Sequence, residues 1–138
     1  MALYFEHQVP VPSPQEDSKI TAVDWHGRLD ILAVAFNLSG SSGKIYFYRN
    51  NGDLVSGREV IKESDSICFI KWHPVIAVLA IGWFSGTLTI YHLDNGSSKE
   101  TPSMSSAAAS VKILAWSSEG SRILASDTVS HKLTWGRN

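Results

Sequence analysis

The sequence is short of almost everything that would announce chemistry. Its single cysteine, Cys68, has no partner for an internal disulfide, and its place in an apolar run makes it a small core residue. Twelve basic residues oppose thirteen acidic ones for a formal charge of −1, with no basic run or stripe. Phosphate-driven binding to nucleic acid therefore has no electrostatic footprint. The longest apolar run, Val75–Phe84, falls far below the roughly 20 residues of a membrane-spanning helix. The opening MALYFEHQV is too short and too polar for a signal peptide, so the expectation is a soluble intracellular protein. On that expectation the sequons at Asn37-Leu38-Ser39 and Asn95-Gly96-Ser97 go unused.

Catalytic and metal-binding patterns are missing too. His7, His26, His73, His92 and His131 lie singly at strand ends, with no helical i, i+4 pair and no cluster of cysteines or carboxylates. The string Gly82-Trp83-Phe84-Ser85-Gly86 lacks the G-x-S-x-G spacing of a hydrolase elbow, and a strand follows where a helix should. No Gly-rich loop leads into Lys-[Ser/Thr] and a helix, so no phosphate cradle is present. The reading is of no enzyme: no catalytic residue, no cofactor, no metal and no small-molecule substrate.

What the sequence has instead is repetition. Three β-type runs, SICFIKW (Ser66–Trp72), VLAIGW (Val78–Trp83) and TLTIY (Thr87–Tyr91), are joined by His73-Pro74 and by Ser85-Gly86. An earlier copy reads ITAVDW (Ile20–Trp25), ILAVA (Ile31–Ala35) and KIYFY (Lys44–Tyr48). A later one reads VKILAW (Val111–Trp116), ILASD (Ile123–Asp127) and HKLTW (His131–Trp135). Trp25, Trp72 and Trp116 recur at intervals of 47 and 44 residues, and Tyr48, Tyr91 and Trp135 at 43 and 44. A period of about 40–45 residues with short strands is the signature of WD40-type propeller blades.

Within each first run, Val23, Ile70 and Leu114 occupy one face by alternation. Ile20 with Ala22, Ile67 with Phe69, and Val111 with Ile113 occupy the other. Strands apolar on both faces belong between packed sheets, where neighbouring blades sandwich them. Ala33, Ala80 and Ala125 recur in the second run, where blades converge and space is short. The fold class expected is an all-β, WD40-type β-propeller, incomplete at about three blades, because propellers close with about four to eight.

In chain order, residues 1–9 form an expected edge strand, followed by the proline-rich connector at 10–14. Blade 1 spans 18–62, with Asn50-Asn51-Gly52-Asp53 as a turn before an outer strand at Arg58–Lys62. Blade 2 spans 66–105; its outer strand, in the Ser- and Ala-rich segment 97–110, is weakly patterned. An incomplete blade 3 spans 111–138. Trp83 and Phe84 fall at a hairpin tip and are the candidate partner-binding loop tip, since large apolar groups are costly to leave wet. The competing reading packs Trp83 against the next blade.

The opening MALYFEHQV, the segment WHPVIAVLAIGWFSGTLTIY and the stretch ILAWSSEGSRILASD together resemble the N-terminal region of the intraflagellar transport protein 140 family. Members of that family are subunits of the retrograde transport complex A of cilia. The repeats depart from ordinary WD repeats. Gly-His is absent, Ser85 stands where the turn aspartate would be, and tyrosine replaces the terminal tryptophan at Tyr48 and Tyr91. The resemblance implies a non-catalytic scaffold that binds other complex A subunits and works in retrograde transport, cilium assembly and ciliary entry of membrane proteins. It implies a cytoplasmic protein at the cilium and its basal body, represented here by a piece of its first propeller. The alternatives are a propeller fragment of another coat or tethering complex, or a stand-alone small β-protein that binds a ligand.

Overall fold

The period carries through to the backbone as three consecutive antiparallel sheets. The structure is a computed structural model that describes residue 8 and residues 18–39, 41–101, 110–127 and 133–137, the last as backbone. The expected edge strand at 1–9 and residues 102–105 lie outside that set, apart from the single exposed position Gln8.

The first sheet runs β1 (Lys19–Trp25), β2 (Ile31–Leu38), β3 (Ser42–Arg49) and β4 (Val60–Lys62), in that spatial order. The second runs β5 (Ile67–Trp72), β6 (Val78–Trp83), β7 (Leu88–His92) and β8 (Ser97–Thr101). The third holds β9 (Val111–Trp116), β10 (Arg122–Asp127) and β11 (Leu133–Arg137), again as a meander. The weakly patterned segment after Asn95 does form an outer strand, β8, paired to β7 from Leu88–Thr101 to His92–Ser97. No helix occurs among the described residues.

The first strands β1, β5 and β9 lie side by side, so the three blades share an inner edge. Each blade stacks the far side of its second and third strands on the first strand of the next. One core, between blades 1 and 2, gathers Ala33, Ala35, Ile45 and Phe47 against Ile67, Ile70, Trp72 and Tyr91. A second, between blades 2 and 3, gathers Ala80 and Leu88 against Val111, Leu114 and Ala125. β6 lies between the two and is buried at every residue.

Two expectations about faces are corrected by the pairing. Ile20 opposes Phe36 while Ala22 opposes Ala35, which leaves Thr21 as an extra residue. The same shift falls at Cys68, between Ile67 and Phe69, and at Lys112, between Val111 and Ile113. Each blade therefore carries a β-bulge four residues before its strand-end tryptophan, and a bulge moves a side chain to the other face. Ile67 joins Ile70 on the buried side, and Val111 joins Leu114. Phe69 and Ile113 are left exposed, so the first strand is apolar mainly on one side.

The third copy is also displaced by one. Trp25 pairs with Leu32, Trp72 with Leu79 and Trp116 with Ile123. Ala125 thus corresponds to Val34 and Ile81, not to Ala33 and Ala80, and it faces the preceding blade. Trp135 pairs with Leu124, which is the register position of Phe47 and Ile90.

Candidate interaction surface

The seam between blades is built from the residue pair at the end of each first strand. Trp72 donates from its indole Nε1 to the Asp24 carbonyl at 3.0 Å, and from its backbone N–H to Asp24 Oδ2 at 2.9 Å. One blade on, the Trp116 indole donates to the carbonyl of Lys71 at 3.1 Å. Each tryptophan is thus pinned to the residue that precedes its counterpart.

The histidine after each tryptophan completes the stitch. His26 Nδ1 accepts the backbone N–H groups of Arg28 and Leu29, both at 3.1 Å, and closes its own turn. With Nδ1 an acceptor, Nε2 carries the proton, and it donates to the Ile76 carbonyl of blade 2 at 2.9 Å. His73 repeats the arrangement: Val75 and Ile76 N–H to Nδ1, and Nε2 to the Gly120 carbonyl of blade 3 at 3.1 Å. Each ring also packs edge-on against the next blade's tryptophan, His26 on Trp72 and His73 on Trp116. Gly120 sits at φ 72°, and a Cβ there would lie 1.8 Å from His73 Nε2, so no other residue fits. Burial holds the His73 imidazole below its ordinary range; the Gly120 carbonyl opposes that shift, and His26 reinforces it. Neither histidine is available as a ligand.

Other polar groups in the seam are equally committed. The Asn37 amide meets the Ile67 backbone twice, Nδ2 to the carbonyl at 2.9 Å and Oδ1 from the N–H at 2.8 Å. Arg58 clasps the β7–β8 turn through the carbonyls of Leu93 at 2.8 Å and Asp94 at 3.1 Å. Asp65, the buried third residue of the β4–β5 connection, accepts from Ser66 N–H and from Ser85, and pairs with Lys62 at 3.0 Å. Ser85, which replaces the usual turn aspartate, therefore binds an aspartate instead. The Cys68 thiol is half-buried, and burial together with nearby Asp65 pushes its pKa up, against a smaller pull from Lys112. It stays a thiol.

The expected loop-tip pair divides. Trp83 ends β6 at 1% exposure, with its indole on Thr89 Oγ1 at 2.8 Å and Lys62 Nζ 4.6 Å above the ring. It packs toward Gly43 of blade 1, the preceding blade and not the next one, with its ring buried. Phe84, at the register position of Asn37, is 65% exposed. Its backbone N–H is fixed to the Ser66 carbonyl at 2.8 Å, which presents the ring on a rigid tip.

A larger apolar surface lies on blade 1 and was not anticipated. Ile20, Val23 and Trp25 are 62%, 59% and 55% exposed, whereas their counterparts Ile67, Ile70 and Trp72 are at 2%, 4% and 4%. Val111 and Leu114 in blade 3 are buried likewise. Equivalent apolar positions differ because blades 2 and 3 have a blade in front of them and blade 1 has none among the described residues. Alternation gave each of these positions a buried reading, and only the order of stacking separates them. Among the described residues no group of three His, Cys, Asp or Glu side chains could hold a metal ion, and no helix is long and apolar enough to cross a membrane.

Comparison with known proteins agrees with this architecture. A chain in the crystal structure of the mitotic checkpoint complex superposes with a TM-score of 0.51 at 19% sequence identity, which concerns the fold alone. That match covers 100% of the present chain and 48% of the other, so the present chain spans about half of the solved one. Residues 2–138 match the family described as the IFT140 first beta-propeller. The three stitched blades are those of a β-propeller, and the chain belongs to the IFT140 first beta-propeller family.

Proposed function

We propose that the chain is a non-catalytic part of a ciliary transport scaffold, contributing rigid blades to an assembly of complex A type that serves retrograde intraflagellar transport, cilium assembly and the ciliary entry of membrane proteins. The observation that carries this reading is the family match over residues 2–138. The physical role follows from the seams. Histidine, tryptophan and asparagine side chains are consumed in holding blade to blade, which leaves turn tips and sheet edges as the parts a partner can meet. On this reading the protein works in the cytoplasm, at the ciliary base and in the cilium, and its partners are other subunits of the same complex.

Phe84 is the contact we assign to such a partner, since an exposed aromatic on a fixed hairpin tip loses little entropy on docking. The test is to remove residues 18–127 from the endogenous gene product in ciliated cells and to image transport. Accumulation of retrograde cargo at ciliary tips is expected; normal return of cargo would refute the reading. Separately, Phe84→Ser in the otherwise intact protein is expected to reduce co-purification of complex A subunits while leaving the strand signal unchanged. Undiminished co-purification removes Phe84 from the interface without touching the family assignment.

A further inference from the structure

The seam between blades 1 and 2 opens, at one end, into a cleft of about 370 Å3, a size within the range of ligand-binding clefts. Its walls follow from the register. Ile31, at the start of β2, pairs with Arg49, at the end of β3, and Val55 follows in the connection to β4. Leu93 and Asp94, from the β7–β8 turn, form the blade 2 side. Leu93 is tied to that side by its N–H on the Ala77 carbonyl at 2.9 Å. Nearer the inner edge the same seam carries an apolar strip. His26 takes the Leu29 N–H on Nδ1 and gives Nε2–H to the Ile76 carbonyl, so both turns meet one imidazole. Leu29, Val75 and Ile76 are all exposed there.

The cleft sets two guanidinium groups against one carboxylate, that of Asp94. Arg58 commits its N–H groups to the carbonyls of Gly57, Leu93 and Asp94. Arg49 is exposed, and its side chain has no hydrogen bond or ion pair among the described residues. A planar fork of free donors beside apolar walls is the arrangement that takes a carboxylate in bidentate fashion. The next seam lacks the combination. His92 stands at the register position of Arg49. His73 reaches the Gly120 carbonyl as His26 reaches that of Ile76, so blade 3 presents Glu119 and Gly120 where blade 2 presents Val75 and Ile76.

We propose that this cleft and strip form a docking groove for an extended acidic segment of a partner protein. An aliphatic side chain of the segment seats on Leu29 and Ile76, and a carboxylate pairs with Arg49. Charge complementarity selects the acidic residue, and the exposed aliphatic pair selects a leucine-like neighbour over a plain polyanion. The groove lies beyond the Val78 end of β6, whereas Phe84 follows its Trp83 end, so the two surfaces are separate. The proposal rests on the seam and its charges, not on the ciliary assignment.

The test is fluorescence anisotropy of a labelled short peptide that alternates leucine and aspartate, titrated with the full 138-residue chain. Saturable binding is expected, roughly tenfold or more tighter than for a leucine–lysine or a serine–aspartate peptide of equal length. Arg49→Glu is expected to reverse the preference in favour of the lysine peptide, a gain that an unfolded variant would not give. Leu29→Ser is expected to weaken binding, and Phe84→Ser to leave it unchanged. Four results would overturn the proposal: no saturable binding, a serine–aspartate peptide that binds equally well, a preference for aspartate over lysine that survives Arg49→Glu, or binding lost in Phe84→Ser. The second would make the groove a site for anions alone, and the last would place the peptide at the opposite end of the sheet. None of the four bears on the transport assay in ciliated cells.

Discussion

Two tryptophans at the same blade position, each followed by a histidine, give a direct measure of what a seam contributes. Trp72 is buried under blade 1 and makes two hydrogen bonds to Asp24; Trp25 has the same neighbours in its own sheet but no blade in front of it. Trp72→Ala is expected to cost about 3–5 kcal/mol in urea unfolding, as large core truncations do. Trp25→Ala is expected to cost well under half of that, because the exposed ring loses little packing. Equal costs would mean that Trp25 is covered in solution. His73 adds a pH dependence whose sign can be worked out. Its folded-state pKa lies below the unfolded value of about 6.5. The unfolded chain therefore takes up the proton first as pH falls, and stability is lost from about pH 6.5 downward through the folded value. Protonation also places an N–H on Nδ1 against the N–H groups of Val75 and Ile76. The urea midpoint should fall between pH 7.5 and 5.5, and His73→Gln should flatten that slope while lowering the midpoint at pH 7.5. A slope unchanged by the substitution would show that other groups set it.

The strands themselves were legible in the sequence, because β-branched and aromatic runs between turn residues leave few other readings. Their faces were less so. Simple alternation assigned Ile20 and Ile67 to the side opposite Val23 and Ile70, and the bulges at Thr21 and Cys68 reverse this. No single residue type marks a bulge: Thr21, Cys68 and Lys112 share no side-chain chemistry, only a position four residues before the strand-end tryptophan. The one-residue displacement in blade 3 escaped for a related reason. Ile123-Leu124-Ala125 reads like Ile31-Leu32-Ala33, and only counting seven residues from the tryptophan recovers the register. The seam residues had weaker signals still. Asn37 presents as a sequon and functions as a cross-blade tie, with both amide atoms on the Ile67 backbone. Asn37→Ala leaves that backbone pair without its partner and is expected to cost about 1–3 kcal/mol. Gly82→Val, which drives a branched side chain into Val111, should cost a similar amount by overpacking, relieved in part by Val111→Ala. Additive losses in that pair would argue against the contact.

At the scale of the whole molecule, stability is a sum over blades and the seams between them, as in other stacked repeats. Blade 2 has a seam on each side, with a histidine stitch entering from blade 1 and another leaving to blade 3. Blade 1 and blade 3 have one seam each among the described residues. β6, buried at all six residues and paired on both edges, is the strand that can open only when both seams and its own sheet open. Its amides should therefore report the largest opening free energy. The outer strands sit at the other extreme: β4 pairs over three residues, and β8 is almost wholly exposed along its length. Native-state hydrogen exchange is expected to rank β6 slowest, β2, β5 and β9 next, and β4 and β8 fastest. Breaking one seam should change that order selectively. Gly120→Ala, which pushes a methyl group into His73 Nε2, is expected to speed exchange in β9 and β10 by tenfold or more while leaving β2 and β3 near their original rates. A uniform acceleration across all three sheets would mean that the blades unfold as one unit, and that the seams couple them too tightly for a repeat-by-repeat account.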